Sequence, residues 1–331
     1  MEKADYFKHL SKPENGPLTQ IVKIIESEIS SYEKSIKIMK LLRDECIFIH
    51  HNRLHSADFS DATIKPDDVN MKLNLVNEDL VTDWHPIFAN SFGPFYPSEY
   101  FKKENFRIVW LLKESYIMKD SWVKGDRGKH NQAKEYTVYF EENGYFDNDT
   151  HDNILKLSRT ILTTLEVIDK EASDKEVLNH ICILEVNHFP GLAFQSPNSN
   201  DYLIGEWAEL NTDLIKTLVA FCKPNIIIGG HTLGHFFPVG YRYEENHYIE
   251  HISDEIKKSI NNGMNFEVLG FRLVDSNWNK DMTPNFLFKT KEDCFMIDAN
   301  HPSRKINYLE KNAKIDAEII KQWLELEKSR Q

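Results

Sequence analysis

Cysteine is scarce in this chain, and no two of its four, Cys46, Cys182, Cys222 and Cys294, form a C-x-x-C pair. That argues against a zinc ribbon, a cysteine-ligated iron–sulfur cluster and a disulfide framework, and it points to a reducing cytoplasm. Long apolar runs are missing too. No stretch approaches the ~18 consecutive apolar residues of a membrane helix. The stretch MEKADYFKHLSKPENG lacks the apolar segment of a secretory signal. Positive charge is in deficit, with 40 Lys and Arg against 52 Asp and Glu and a formal net charge of −12. Such a chain does not coat nucleic acid, although a local basic patch suffices to grip a short stretch. There is no internal repeat and no low-complexity tract. Gly229-Gly230-His231-Thr232 is too short for the G-x-G-x-x-G dinucleotide signature. His231 and His235 stand four apart with no Glu between them, and no carboxylate or cysteine cluster completes a ligand set around His50, His51 and His55. Neither a metal nor a cofactor is expected.

What is present is ordinary globular material: 331 residues, 41% apolar and 28% charged. The length allows one large domain or two ordinary ones, with a sizeable core. Residues 1–15 read as a polar arm. From Leu18 to His50, Ile21, Ile24, Ile25, Ile29, Ile36, Met39 and Leu42 recur at roughly helical spacing, which predicts one long helix. We divide the chain into an N-terminal helical region, 1–80, and an α/β domain, 81–331. Trp84–Phe88 and Phe92–Pro97, rich in proline and aromatics, read as an ordered loop.

From Arg107 the rhythm changes. Four short apolar runs appear: Arg107–Leu112, Ile181–Val186, Asn225–Ile228 and Cys294–Ile297. Runs of this kind are what parallel strands buried on both faces look like. Amphipathic helices are expected between and after them. One is Asp152–Val167, with Asp152 as N-cap. The others are Gly205–Cys222 and a closing Asp316–Lys328. Residues 266–289 read as an antiparallel excursion or extra strands, with Gly270 and Pro284 as punctuation. The alternation implies an α/β fold built as a sandwich around a mainly parallel sheet.

Ligands of such sheets bind at the carboxyl ends of the strands. Lys113-Glu114-Ser115-Tyr116 follows the first run and Asn187-His188-Phe189-Pro190 the second. Gly229-Gly230 follows the third, and His301-Pro302-Ser303-Arg304-Lys305 comes after the fourth. In order and content these segments resemble the uracil-DNA glycosylase superfamily. His301-Pro302-Ser303 matches that family's final loop residue for residue. Asn187-His188-Phe189-Pro190 is similar to the Asn-aromatic-x-Pro form of its single-strand-selective branch. Lys113–Tyr116 shares the layout of an acid two places before a tyrosine. It departs from the family pattern at Glu114, where many members have Asp or Asn, and at Ser115, where they have Pro. The likeness spans Arg107 to Ser303.

The resemblance implies a three-layer α/β sandwich and a DNA N-glycosylase acting on a pyrimidine extruded from the helix. Asn187 offers one acceptor and one amide donor pair, which suits bidentate reading of a pyrimidine edge. His301 would stabilise the negative charge of the departing base, and Glu114 would stabilise the sugar cation and position water. Tyr116 and Phe189 would stack on the flipped base, or serve as core aromatics. Ser303, Arg304 and Lys305 would meet phosphate. Lys119–Lys134 holds Trp122, Lys124, Arg127 and Lys129 with only two acids, Asp120 and Asp126, and reads as a phosphate-tracking loop or a solvated one. Each assignment has a plainer reading as well. Glu114 can pair with Lys113 or Lys119, Asn187 can cap a turn, and His301 can be a turn residue ahead of a helix.

The departures at Glu114–Tyr116, the long insertion at 117–150 and the added helical region suggest a substrate other than plain uracil. A hydroxymethylated or glycosylated cytosine of phage DNA fits, and the role would then be anti-phage defence. The rival class is a catalytically silent DNA-binding module of the same fold. A third is a hydrolase of small nucleosides or esters.

Overall fold

The computed structural model describes residues 8–9, 12–51, 92–112, 116–117, 140–146, 149–186, 191–192, 200–230, 232–233, 268–273, 286–290, 294–299, 302 and 306–329. First come helices α1 (Pro17–Glu26) and α2 (Ser31–His51). Strand β1 (Phe92–Pro94) and the short helix α3 (Pro97–Tyr100) lead into β2 (Ile108–Leu112) and β3 (Tyr116–Ile117). Helices α4 (Asp149–Thr164) and α5 (Asp174–Leu178) precede β4 (Ile181–Glu185) and β5 (Gly191–Leu192). Helix α6 (Asn200–Cys222) leads to β6 (Ile226–Gly230). Then follow β7 (Val268–Leu273), β8 (Phe286–Thr290), β9 (Phe295–Ala299) and helix α7 (Ile306–Lys328).

The four apolar runs are strands, and every residue of β2, β4 and β6 is buried, as two-sided coverage requires. They lie in a seven-stranded sheet of order β1-β4-β2-β6-β9-β8-β7, while β3 and β5 pair separately. The pairs β2/β6 and β6/β9 are parallel. Within the segment expected to be antiparallel, the described strands are so, with β7 on β8 and β8 on β9. The chain is therefore α/β with a mostly parallel sheet.

Helix α4 buries Ile154, Leu157, Ile161 and Leu162, and α7 buries Leu309, Ala313, Ala317 and Ile320 at helical spacing. The two helices pack on each other. Buried Trp110 of β2 donates its indole N–H to Ser158 Oγ of α4 at 3.0 Å, and the Phe295 ring of β9 lies 5.7 Å from Trp323 of α7. These contacts fix which sheet face the two helices cover.

Three expectations are corrected. The single helix over 18–50 is two helices, interrupted at 27–30. Ser30 and Glu33 form the reason: the Glu33 amide donates to Ser30 Oγ at 3.2 Å, and the Ser30 amide donates to Glu33 Oε2 at 3.0 Å. This reciprocal cap starts a new helix and resets the phase of the apolar stripe. Ile38, Met39 and Leu42 are buried, while Ile36 is 43% exposed. Asp152 is not an N-cap, because α4 begins at Asp149; Asp152 sits in the first turn and pairs with Lys156. The proline-aromatic segment is not all loop, since Phe92–Pro94 adds a strand to the sheet.

The chain divides into two compact units. One comprises Met1–Gly93, Lys113–Gly144 and Ile183–Phe221, the other Pro94–Leu112, Tyr145–Cys182 and Cys222–Gln331. Among the described residues, no helix is long and apolar enough to cross a membrane.

Candidate functional site at the carboxyl edge of the sheet

The register of the parallel strands defines the edge. Ile108 pairs with Ile226 and Leu111 with Gly229, while Gly230 pairs with Ala299, so β2, β6 and β9 end together. At the opposite end the Ile108 amide donates to the His180 carbonyl at 2.8 Å, so the start of β2 lies beside the residue that precedes β4. The chain makes β2, then β4 on one side of it, then β6 on the other side. That reversal is a topological switch point, and open α/β sheets bind ligands in the crevice outside the strand ends at such a point. Here it falls between β2 and β6.

Three buried polar side chains tie down the backbone where the chain leaves the sheet. Thr232 Oγ1, just past β6, donates to the Leu111 carbonyl of β2 at 2.6 Å. Asn211 Nδ2 of α6 donates to the Val186 carbonyl at 3.0 Å. Asn153 Nδ2 of α4 donates to the Pro302 carbonyl at 2.6 Å. All three are almost completely buried. A buried amide or hydroxyl satisfied by a backbone carbonyl both avoids a desolvation penalty and fixes that carbonyl in place. The fixed carbonyls belong to the stretches leading to or from Glu114, Asn187 and His301. Sequence reasoning missed all three anchors, because a lone polar residue in or beside a helix reads as solvated.

Gly229 serves the same edge. A Cβ there would collide with Leu233, which folds back over the strand. The close approach of Leu233 therefore requires glycine at this position.

Asp298 is a second group the sequence did not single out. It is the fourth residue of β9, in register with Gly229 of β6 and Phe286 of β8. Ile297 and Ala299 face α4 and α7, so alternation turns Asp298 to the other sheet face. Burial pushes its carboxyl up from the ordinary 3.8 to about 7.

Most of the candidate residues named from sequence lie outside the described residues: Glu114, Trp122, Lys124, Arg127, Lys129, Asn187, Phe189, His301, Ser303, Arg304 and Lys305. Tyr116 is placed through its backbone, in β3, where it pairs with Gly191 of β5 and Ile117 pairs with Leu192. This short parallel ladder joins the two segments that follow β2 and β4. Glu114 stands two residues before Tyr116, which is at most ~7 Å of chain. Asn187 stands four residues before Gly191.

A cavity of about 20 Å³ lies on the α4/α7 side of the sheet, lined by Trp110, Ile228, Ala299 and Asp316 among others. It has room for about one water and none for a nucleobase. It is a packing void rather than the site. No protein-family model matches this chain, and no curated protein or solved structure matches it either.

Proposed function

We propose that this protein is a DNA N-glycosylase of the uracil-DNA glycosylase type, with that family's three-layer arrangement around the mostly parallel sheet. Its substrate is a pyrimidine extruded from DNA, and a modified cytosine is the favoured one. One observation carries the reading. Glu114, Asn187 and His301 each stand two residues beyond the last residue of β2, β4 and β9 respectively. An acid, an amide and an imidazole thus issue from strands of one sheet, and Gly229 and Gly230 close β6 between two of them. The anchors at Leu111, Val186 and Pro302 support it, since reacting groups need rigid mounts.

In this mechanism the duplex gives up one base at a cost of about a few kcal/mol. Asn187 pairs with the edge of that base and sets which pyrimidine is accepted. The C1′–N bond breaks with its electron pair passing to the base. His301 stabilises the resulting negative charge, and Glu114 faces the positive sugar and orients the attacking water. Tyr116 and Phe189 stack on the base. Ser303, Arg304, Lys305 and the Trp122–Lys129 cations hold phosphates.

The test uses duplexes bearing uracil, hydroxymethylcytosine or glucosylated hydroxymethylcytosine, treated with alkali after incubation. Strand breaks at the modified base are the expected outcome. Glu114→Gln and His301→Ala are each expected to lower the rate at least about 10²-fold. Salt-sensitive DNA binding without base release would instead identify a silent binding module.

A further inference from the structure

The cysteines have no part in the function proposed above, and the fold brings two of them together. Cys182, the second residue of β4, and Cys222, the last of α6, are fully buried with their sulfurs 4.0 Å apart. They are 40 positions apart in sequence. One short stretch of chain holds the backbone on both sides of the pair. Beside Cys182, Asn105 Nδ2 donates to the Asn179 carbonyl at 2.9 Å and the Ile108 amide to the His180 carbonyl at 2.8 Å. Beside Cys222, Arg107 Nη1 donates to the Cys222 carbonyl at 3.3 Å, and the Arg107 amide donates to Asn225 Oδ1 at 2.8 Å. All of these residues belong to the same compact unit. Bonded sulfurs are about 2.0 Å apart, so a bond here asks for roughly 2 Å of closure. The entropy that an unfolded chain would lose in bringing the two thiols together has been lost already on folding. Entry is short, too. Cys222 ends its helix, and exposed Lys223 follows it in the left-handed region at φ 47°. Helix ends fray, and opening of that last turn bares the sulfur.

We propose that Cys182 and Cys222 form a dithiol site that a low-molecular-weight disulfide, of the oxidised glutathione class, converts reversibly to a disulfide. In a reducing compartment the pair rests as thiols, and an oxidising shift bonds it. The step balances as follows. One cysteine, as its thiolate, attacks the small disulfide, forms a mixed disulfide and releases one small thiol. The second cysteine, as its thiolate, attacks the mixed disulfide and releases the other. The two protons lost by the cysteines end on the two small thiols. Two protein thiols are oxidised and one disulfide is reduced. The new bond closes a loop over Ile183–Phe221, the stretch that carries Asn187, and so constrains the unfolded chain more than the native one. This inference is independent of the glycosylase reading.

The experiment equilibrates the full chain in buffers of fixed oxidised-to-reduced glutathione ratio, once in its native state and once in urea. Each sample is quenched in acid, alkylated and mapped by mass spectrometry. Equilibrium is approached both from the reduced chain and from chain oxidised in urea, so slow entry to the buried pair does not bias the result. A Cys182–Cys222 cross-linked peptide is expected, with a disulfide-to-dithiol ratio at least about tenfold higher in the native state than in urea. By linkage, the oxidised chain should also show the higher urea midpoint. Cys222→Ser should abolish the cross-link, whereas Cys46→Ser and Cys294→Ser together should leave it. Should Cys222→Ser fail to fold, the wild-type peptide map still decides. A native ratio equal to or below that in urea, or a native cross-link through Cys46 or Cys294 instead, would overturn the proposal.

Discussion

At the residue scale, the carboxyl edge is held by side chains whose polar groups are spent on backbone carbonyls. Replacing Thr232 by Val keeps the shape and deletes the donor to Leu111. A buried acceptor is then stranded, and urea denaturation should show a loss of about 1–3 kcal/mol. Asn153→Asp keeps the size of the side chain but sets an acceptor against the Pro302 carbonyl. If the proposed glycosylase activity holds, its expected effect is on the rate of base release more than on DNA affinity, since Pro302 directly follows His301. A fall in affinity alone, with the rate intact, would deny it that role.

Asp298 yields a stability prediction independent of catalysis. Burial raises its folded carboxyl to about 7 against an ordinary 3.8, so between those values the native state holds more protons than the unfolded state. Stability contributed by this group is therefore greatest below pH 4 and is lost as pH rises toward 7. At about 1.4 kcal/mol per pH unit, wild type should lose roughly 4 kcal/mol relative to Asp298→Asn over that window. A pH-independent difference between the two would show that the carboxyl is not so shifted. Little of this was legible beforehand. Asp298 closes an apolar run, and Asn153 and Asn211 are single polar residues within amphipathic helices, so residue type alone does not signal their burial.

At the element scale the strands were the legible part, because burial on both faces writes itself as unbroken apolar sequence. Their ends were less so. Strand β6 continues through Gly229 and Gly230, which carry no side chain to signal burial. Helix α7 begins at Ile306, ten residues before the expected Asp316, because Asn312 and Asp316 occupy its core-facing positions and break the apolar stripe. The Asn312 amide has no hydrogen-bond partner among the described residues. Asn312→Leu should accordingly raise the urea midpoint, by about 1–3 kcal/mol of stability, as an unsatisfied buried amide is exchanged for an apolar group. The break between α1 and α2 was written in the sequence as Ser30-x-x-Glu33, a capping box hidden inside a continuous apolar period. Ser30→Ala should cost about 1 kcal/mol and lower helicity in the N-terminal region, which circular dichroism would register.

At the scale of the whole molecule, the sheet order sets strands that are far apart in sequence side by side, which is what the reaction we propose requires. Returning to the far side of β2 after β4 makes a switch point, the place where open α/β sheets bind ligands, and parallel strands send their carboxyl ends to the same edge. With a net charge of −12, the contact with DNA that we propose would fall to Arg304, Lys305 and the Trp122–Lys129 stretch. The most direct measurement is base release from a duplex carrying a single hydroxymethylcytosine or its glucosylated form, read as alkali-labile breaks. Wild type should cut at the modified position, with Glu114→Gln and His301→Ala at least about 10²-fold slower. Intact strands with wild type on modified and uracil duplexes alike, or unimpaired cutting by both variants, would contradict the assignment.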